Sequence, residues 1–424
     1  MKFTSALLST ALLAALALAQ SEAASSASSA ASGASSAAAS AAPSGSGGNS
    51  TNGTDYLSQV LGALTGAGLT SLVSVATSIA NTTEGQALLG QLAGGNKTVF
   101  APNNEAFAAV PESVSSNTTL LTEILSYHIL NNTYSGSGIA TAPNHTIART
   151  LLRGGEFELP GNRTAPLVLE RESANATGFR IVQGNITNAQ NPASAANLQV
   201  YVIDRVLDLP ANLSTVATAA VPALASLIQQ ANLLEPLESA VGITVFAPSD
   251  SAIQGVAGAV GQLNQTQIQT ILANHVVNGT VAYSTSIGTT NLTSAAGEPF
   301  TFTTNSSGTY VHSGNATAKI TATDIIINNG VVHLIDNVLV NTNSNQTAAN
   351  NAYSSATAAA ATQTEPTGAI TSSPAATSNA GGASGSSGPS GAAGQLEPMG
   401  LTGSMIGGAV GVLLAVAGGA FTLF

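Results

Sequence analysis

An internal repeat constrains this chain more than any other feature. The block Thr98–Pro102 (Thr-Val-Phe-Ala-Pro) returns unchanged at Thr244–Pro248, and Val202–Leu207 returns as the similar Leu334–Leu339. Between these blocks lies a third match, an apolar stripe at helical spacing that ends in histidine. Its members are Leu121, Ile124, Leu125 and His128 in the first copy and Ile268, Ile271, Leu272 and His275 in the second. Three matches in the same order predict two copies of one fold.

Each copy carries both helical and strand patterns. Ahead of the first repeated block, Leu57, Val60, Leu61 and Leu64 follow helical spacing. After the histidine the pattern alternates, and Asn329-Gly330 separates two apolar runs, which predicts a hairpin whose turn positions need positive φ. The matching joint of the first copy, Asn188–Asn197, predicts a looser loop. The fold class is therefore α+β, with helices in the first half of each copy and strands in the second.

The N-terminal residues predict export. Lys2 precedes an apolar run, Ala6–Leu18, that closes with Ala17-Leu18-Ala19, the small-x-small pattern of a signal-peptide cleavage site. The run is too short to cross roughly 30 Å of hydrocarbon. We expect residues 1–19 to be a signal peptide cleaved before Gln20, and the mature chain to be secreted.

The C-terminal residues predict a lipid anchor. Met405–Phe424 is uncharged, and no Lys or Arg follows Lys319, so the cationic flank of a spanning helix is missing. Ser390-Gly391-Ala392 supplies three small residues upstream, as a glycosylphosphatidylinositol signal requires. The expectation is lipid attachment at Ser390 and removal of residues 405–424. A tail anchor that keeps the apolar segment is the alternative.

Low-complexity segments flank the repeat. Residues 20–52 are nearly all Ala, Ser and Gly and predict a disordered leader, because they lack the large apolar side chains that offset the entropy of ordering. Residues 342–404 are rich in Ser, Thr and Ala and predict an O-glycosylated stalk or a plain disordered linker. The first copy is then residues 53–210 and the second 211–341.

Composition limits how the domains can be stabilised and which classes of partner they can bind. The chain has no cysteine, so each domain must be stabilised by burial alone. A net charge of −11 argues against nucleic acid and anionic lipid as partners. Seventeen Asn-x-Ser/Thr sequons predict N-glycosylation. The candidates are Asn81, Asn96, Asn117, Asn131, Asn144, Asn162, Asn175, Asn185, Asn212, Asn264, Asn278, Asn291, Asn305 and Asn315.

The ordered blocks resemble the fasciclin domain family. They are the Thr-Val-Phe-Ala-Pro block with its following polar residues, the helix that ends in histidine, and the closing Ile-Asp-x-Val-Leu segment. With the signal peptide, stalk and anchor, the chain looks most like fungal fasciclin-like surface glycoproteins. The resemblance implies two tandem wedges or sandwiches of strands with packed helices, and a role in adhesion. It also implies an adhesion motif at Tyr127-His128, because animal members use a Tyr-His pair among aliphatic residues to bind integrin. The second copy has Asn274-His275 instead.

Other interpretations of these residues are structural. A histidine on an apolar helix face is more often a packing residue than a ligand, and Asp204 and Asp336 are interpreted first as hydrogen-bonded structural acids. Arg153–Phe157 contains the Gly-Gly-Glu-Phe string of nucleotide cyclases, which is interpreted as a turn. His312 and His333 lack ligand spacing, so no metal site, cofactor or catalytic residue is expected.

The sequence therefore predicts a non-catalytic surface glycoprotein that contacts other cells, wall or matrix. Its expected partners are surface or wall glycoproteins or polysaccharides, with homophilic contact included, and the membrane through the lipid anchor. Its expected location is the outer leaflet of the plasma membrane and the cell wall. The alternatives are a vacuolar protein of membrane trafficking or autophagosome fusion, and a passive wall glycoprotein.

Overall fold

The computed structural model describes residues 53–174, 176, 178–183, 187–189 and 193–362. The predicted signal peptide, leader and anchor, Ser390, and the sequons at Asn175 and Asn185 lie outside these residues. None of the helices in the described ranges combines the length and apolar character that a membrane crossing needs.

Helices and strands of the first copy follow the predicted order. Its helices are α1 (Gly53–Gly66), α2 (Thr70–Ile79), α3 (Thr83–Leu92), α4 (Asn104–Ala108), α5 (Glu112–Ser115) and α6 (Thr118–Tyr127). Its strands are β1 (Lys97–Pro102), β2 (Ile129–Leu130), β3 (Thr146–Arg149), β4 (Pro166–Glu170), β5 (Phe179–Ile181), β6 (Thr187–Ala189), β7 (Ala193–Ala195) and β8 (Leu198–Ile203). The α+β prediction is confirmed.

The second copy repeats this order. Its helices are α7 (Leu213–Ala220), α8 (Pro222–Gln230), α9 (Leu234–Ser239), α10 (Asp250–Val260) and α11 (Gln265–Ala273). Its strands are β9 (Ile243–Pro248), β10 (Val276–Asn278), β11 (Leu292–Thr293), β12 (Pro299–Asn305), β13 (Gly308–Ser313), β14 (Ala316–Ile327) and β15 (Gly330–Ile335). One more helix, α12 (Gln346–Thr362), follows.

The two repeated blocks of each copy pair with each other. β1 lies parallel to β8 with Phe100 opposite Tyr201, and β9 lies parallel to β15 with Phe246 opposite His333. The residue after each block caps the next helix, because the side chain of Asn103 accepts from the Ala106 N–H and that of Ser249 from the Ala252 N–H. The repeat in sequence is thus a repeat of strand pairing and helix initiation.

Each pair of parallel strands lies between two apolar layers. In the first copy, Val200 faces a cluster with α1, α2, α3 and α6, whereas Phe100 and Tyr201 face the sheet β3-β4-β5-β6. Because successive strand residues point to opposite faces, one strand can serve both layers. In the second copy, Val245 packs with α7 and α8, and Phe246 packs with Phe300 of β12. This is the expected sandwich with packed helices.

The predicted hairpin at Asn329-Gly330 is present, but its turn chemistry differs. Ile327 pairs with Gly330, so Asn328 and Asn329 form the turn and Gly330 opens β15. None of the three is among the residues with positive φ. Gly330 is needed for another reason, since a Cβ there would stand 2.1 Å from the Ile243 carbonyl oxygen of β9. The prediction was correct in topology and wrong about why the glycine is there.

Two segments contain more regular structure than the sequence predicts. The loop predicted at Asn188–Asn197 includes β7, which pairs with β8 as a hairpin. The start of the predicted stalk is α12, which packs back on both copies: Ala360 is buried, and a Cβ on Gly161 would stand 2.3 Å from its carbonyl oxygen. Local composition does not predict β7 or α12, because these segments become ordered through contacts with residues that are distant in the chain.

Candidate functional site

The predicted adhesion pair lies in the core of the first copy. Tyr127 is 0% exposed and His128 is 1% exposed, at the end of α6. The Tyr127 hydroxyl donates to the Pro166 carbonyl oxygen at 3.2 Å. Burial first, and then nearby Tyr283 and Asp208, raise the pKa of the Tyr127 phenol. Neither side chain offers surface to a partner in this fold, and the adhesion assignment stays a prediction.

Both repeated histidines make the same two hydrogen bonds. His128 Nδ1 donates to the Ile124 carbonyl oxygen at 2.7 Å, and its Nε2 accepts from the Leu207 N–H at 2.9 Å. His275 does the same with the Ile271 carbonyl oxygen at 2.7 Å and the Leu339 N–H at 2.9 Å. Each histidine therefore joins its helix to the leucine that ends the closing repeated block.

Electrostatics agree with the role of a neutral histidine. Burial lowers the pKa of His128 and of His275 from 6.5 to about 4, although the hydrogen bond to the Ile124 or Ile271 carbonyl opposes the shift. Both imidazoles stay uncharged near neutral pH with both ring nitrogens occupied. They are packing residues and are not available for proton transfer.

Asn274, which replaces Tyr127 in the second copy, is also buried. Its Nδ2 donates to the Asn341 and Asn343 carbonyl oxygens, each at 2.9 Å, and its Oδ1 accepts from the Ser294 hydroxyl at 2.6 Å. The two copies thus use this position to fix different neighbours: β4 in the first and the chain that leads to α12 in the second.

A partly buried contact between ionisable side chains, which the sequence did not predict, joins the two copies. His145, ahead of β3, places its Nδ1 2.7 Å from Asp324 Oδ2 in β14. On the first copy's side, His145 Nε2 lies 3.8 Å from Glu170 Oε2, and Glu170 Oε1 accepts from Arg180 Nε at 2.5 Å. On the second copy's side, Asp324 Oδ1 accepts from the Ser284 N–H at 2.7 Å. Ionisable side chains of both copies therefore meet across the junction.

Asp324 is held as a carboxylate although it is only 2% exposed. Burial pushes its pKa upward, but the hydrogen bond from His145, the nearby His333 and two hydrogen bonds from Ser284 outweigh burial and hold the pKa below the usual value. Asp324 has a φ of +61° where the pairing of β14 with β15 is irregular. One signal could have found it, since it is the single acid in the otherwise uncharged stretch 320–335.

Apolar and aromatic side chains surround the contact between His145 and Asp324. Val168 of the first copy packs with Tyr283, Ile326 and Val331 of the second, all buried. Arg149 reaches across from β3, with its Cζ 5.2 Å from the centroid of the Tyr283 ring. The junction thus combines buried apolar side chains with hydrogen-bonded ionisable groups.

Comparisons with known proteins identify the fold. The model of the fasciclin domain matches twice, at residues 74–210 and 220–341. The chain belongs to the fasciclin domain family. Its two copies are tandem fasciclin domains, as the repeated blocks predicted.

Similar proteins include two fungal relatives. A fasciclin-like arabinogalactan protein of Arthroderma benhamiae is 26% identical over 254 residues, which are 58% of this chain and 58% of that protein. The fasciclin-like arabinogalactan protein CTB11 of Cercospora beticola is 24% identical over 266 residues, 58% of this chain and 67% of that protein. The chain thus spans less than two thirds of the first relative's length.

A bacterial protein and a solved structure also match. Immunogenic protein MPB70 of Mycobacterium bovis is 32% identical over 128 residues, 29% of this chain and 55% of that protein. A FAS1 domain pair from the insect cell adhesion molecule fasciclin I is 16% identical, with a TM-score of 0.32, and the match covers 64% of this chain and 97% of that chain.

Most described sequons of the fasciclin domains lie on the surface. Ten are exposed, namely Asn81, Asn96, Asn117, Asn144, Asn162, Asn264, Asn278, Asn291, Asn305 and Asn315, and two, Asn131 and Asn212, are half-buried. Asn117, Asn212 and Asn264 also cap helices, each through its Oδ1. Capping leaves Nδ2, the atom that carries an N-glycan, outside the cap, so the two roles are compatible. Occupancy stays a prediction.

The remaining candidates have structural roles. Gly155–Phe157 of the Gly-Gly-Glu-Phe string forms a short 3₁₀ turn. Asp336 accepts from the Lys319 N–H at 2.7 Å, as predicted, whereas Asp204 is exposed and has no hydrogen bond within the described ranges. His312 bonds two threonine hydroxyls on the surface of β13, and His333 is buried at the junction. No group of three or more His, Asp and Glu side chains that could hold a metal occurs in the part of the chain that the structure describes.

Proposed function

We propose that this protein is a non-catalytic cell-surface glycoprotein whose two fasciclin domains mediate cell adhesion or contact with wall or matrix. The observation that carries the proposal is the buried junction between the domains, built on His145–Asp324 and on Val168 packed with Tyr283. Two domains that are fixed against each other present their surfaces to a partner together, which lowers the ordering cost of binding. Partners of matching chemistry are surface or wall glycoproteins and polysaccharides, including a second copy of this chain.

Three lines support this proposal. Two relatives are named fasciclin-like arabinogalactan proteins. Ten described sequons are exposed, as a glycan-coated surface protein requires. The buried histidines His128 and His275 have both ring nitrogens engaged, so they do not supply a general base.

Adhesion is tested by display of the full chain on cells that do not otherwise aggregate. The matched control replaces residues 53–341 with an unrelated domain pair of similar size and keeps the residues on either side. We expect aggregation, or retention on wall material, with the full chain and not with the control. Equal behaviour of the two would reject adhesion and leave a passive wall glycoprotein.

We further propose surface attachment through a lipid at Ser390, with residues 1–19 removed and with the chain cut after Ser390, so that the apolar segment 405–424 is lost. The support is the sequence pattern of both ends. Treatment of intact cells with a phosphatidylinositol-specific phospholipase should release the protein into the medium, and a Ser390→Pro variant should lose surface display. Retention after treatment, together with an intact C-terminal peptide by mass spectrometry, would support a tail anchor instead.

A further inference from the structure

A groove of about 510 Å³ lies where the two fasciclin domains meet α12. One wall includes Leu159 and Pro160 of the first domain, and a second wall comes from the segment 277–293 of the second domain. Small side chains of α12, such as Ala356 and Ala360, line a third side. The volume is within the roughly 300–1,000 Å³ typical of ligand sites, so the groove is large enough to hold a bound group.

The groove contains two points of attachment for an N-glycan. Asn278 and Asn291 both line it, both are exposed, and both begin Asn-x-Thr sequons. α12 lies directly beside the first of them, because a Cβ on Gly279 would stand 3.6 Å from the Ala356 Cβ. A sugar joined to either asparagine therefore starts at the wall of the groove and not on an open face of the domain.

These two sequons belong to a set that recurs in both domains. Three sequons of the first domain are repeated 147 positions later in the second, which is also the interval from His128 to His275. The pairs are Asn117 with Asn264, Asn131 with Asn278, and Asn144 with Asn291. Helix capping accounts for the asparagines of the first pair. Chance sequons in a chain rich in Asn and Thr have no reason to keep one interval three times, so we expect the repeated set to be glycosylated.

The walls of the groove offer both kinds of contact that a neutral sugar makes. Hydroxyl groups of Thr285, Ser286 and Thr290 line it, and a hydroxyl can both donate to and accept from the hydroxyl and amide groups of an N-glycan. Leu159 and Val281 supply apolar surface on which the C–H faces of sugar rings can pack. Neither kind of contact requires a charge on the sugar.

We infer that this groove is filled by the protein's own N-linked sugar, attached to its wall through Asn278 and Asn291. The inference rests on the proposed secretion of the chain, because sequons are glycosylated in secreted proteins. The sugar contacts both fasciclin domains and α12, so it stabilises the arrangement in which all three line the groove, as a ligand stabilises the state that binds it. α12 should depend on the sugar most, because within this helix only Ala360 is buried.

The first test is removal of N-glycans from the folded, secreted full chain by a peptide N-glycosidase, with release followed at each sequon by mass spectrometry. We expect release from the two groove sites to be at least about tenfold slower than from Asn144 and Asn264, because the groove must open before the enzyme can reach the sugar. These two controls are exposed, belong to the same repeated set and do not line the groove. Once the chain is unfolded, all four sites should react at the same rate.

The second test separates loss of the sugar from a change in the wall. Thr280→Val with Thr293→Val removes both groove sequons, and we expect hydrogen exchange in Gln346–Thr362 of α12 to become about tenfold faster. Thr280→Ser with Thr293→Ser keeps both sequons and should keep the slow exchange. The control is Thr119→Val with Thr266→Val, at exposed threonines of two repeated sequons outside the groove, and it should leave the exchange of α12 unchanged.

Two results would overturn the inference. One is the presence of glycans at Asn144 and Asn264 with none at the two groove sites, or equal rates of release at all four sites. The other is equal exchange of α12 in the valine and serine variants, which would leave the groove to another occupant such as the chain after Thr362. A protein with no sugar at any of these sites would also contradict the proposed secretion. The proposed adhesion is measured separately by the display experiment.

Discussion

His128 and His275 each connect an α-helix to the leucine that closes its domain. The ring of His128 spans from the Ile124 carbonyl to the Leu207 N–H, and His275 spans from Ile271 to Leu339 in the same way. The Leu207 and Leu339 N–H groups lie beyond the strands, and a neutral imidazole can accept from each of them while it donates to a carbonyl of the last helical turn. This explains why histidine recurs at one position while the residue before it changes from Tyr127 to Asn274.

Replacement of Tyr127 by Phe tests whether the Tyr-His pair acts by contact or by packing. Tyr127→Phe keeps the ring in the core and loses one hydrogen bond to the Pro166 carbonyl, so we expect a stability loss of about 1 kcal/mol and unchanged adhesion. Denaturant unfolding and the cell-aggregation assay measure the two effects. A large loss of adhesion with little loss of stability would show that the hydroxyl reaches a partner.

The sequence predicts those helices and strands that are set by the local spacing of apolar residues. The helical spacing of Val60 and Leu64 corresponds to α1, and the two apolar runs around Asn329 correspond to β14 and β15. The need for glycine at position 330 was not predictable from the local sequence. It arises from the close approach of Ile243 in β9, which pairs with Gly330 although it is 87 positions away in the chain. Periodicity identifies an element and its buried face, but not which backbone comes closest to it.

Gly330→Ala measures this close approach. A Cβ 2.1 Å from the Ile243 carbonyl oxygen forces β9 and β15 apart, so we expect a destabilisation of about 3 kcal/mol or more. The matched control is Gly258→Ala in α10, where a Cβ meets nothing within 4 Å, and a helical alanine should stabilise by about 0.5–1 kcal/mol. Melting curves of the two variants should shift in opposite directions. Equal shifts would show that the strands adjust without cost.

The whole molecule depends on a junction that no local pattern predicts. His145 lies within a sequon and Asp324 lies 179 residues later, so nothing in either neighbourhood indicates the other. The repeat predicted two domains and their order along the chain. It gave no information on how they meet, because the junction uses residues that differ between the copies.

Acid should destabilise the whole molecule through its buried histidines. The pKa of His128 and of His275 is about 4 when folded and 6.5 as the ordinary value, so the unfolded chain binds more protons between these pH values. The contribution of the neutral histidines to the free energy of unfolding is therefore fully present above pH 6.5. It falls as the pH drops towards 4, by up to about 1.4 kcal/mol per pH unit for each histidine. Burial also lowers the pKa of His333, which adds in the same direction.

Unfolding midpoints in denaturant, measured across this pH range, check the expectation. A His128→Gln, His275→Gln variant is the control, because it should be less stable at neutral pH and show a flatter dependence on pH. A midpoint that stays constant from pH 6.5 to 4 in the unaltered protein would contradict the burial of neutral imidazoles.

The junction itself is tested by His145→Ala. Asp324 would keep its hydrogen bonds from Ser284 but lose the one from His145, and a buried carboxylate that loses a hydrogen-bond donor costs about 1–3 kcal/mol. We expect calorimetry to show two separate melting transitions instead of one, and faster proteolysis between β8 and α7. His312→Ala, which removes a surface histidine, should change neither. Because the penalty comes from the unpaired carboxylate, adding Asp324→Asn to His145→Ala should recover part of the loss. If the single variant melts in one transition at the original temperature, the charged contact does not hold the two fasciclin domains together.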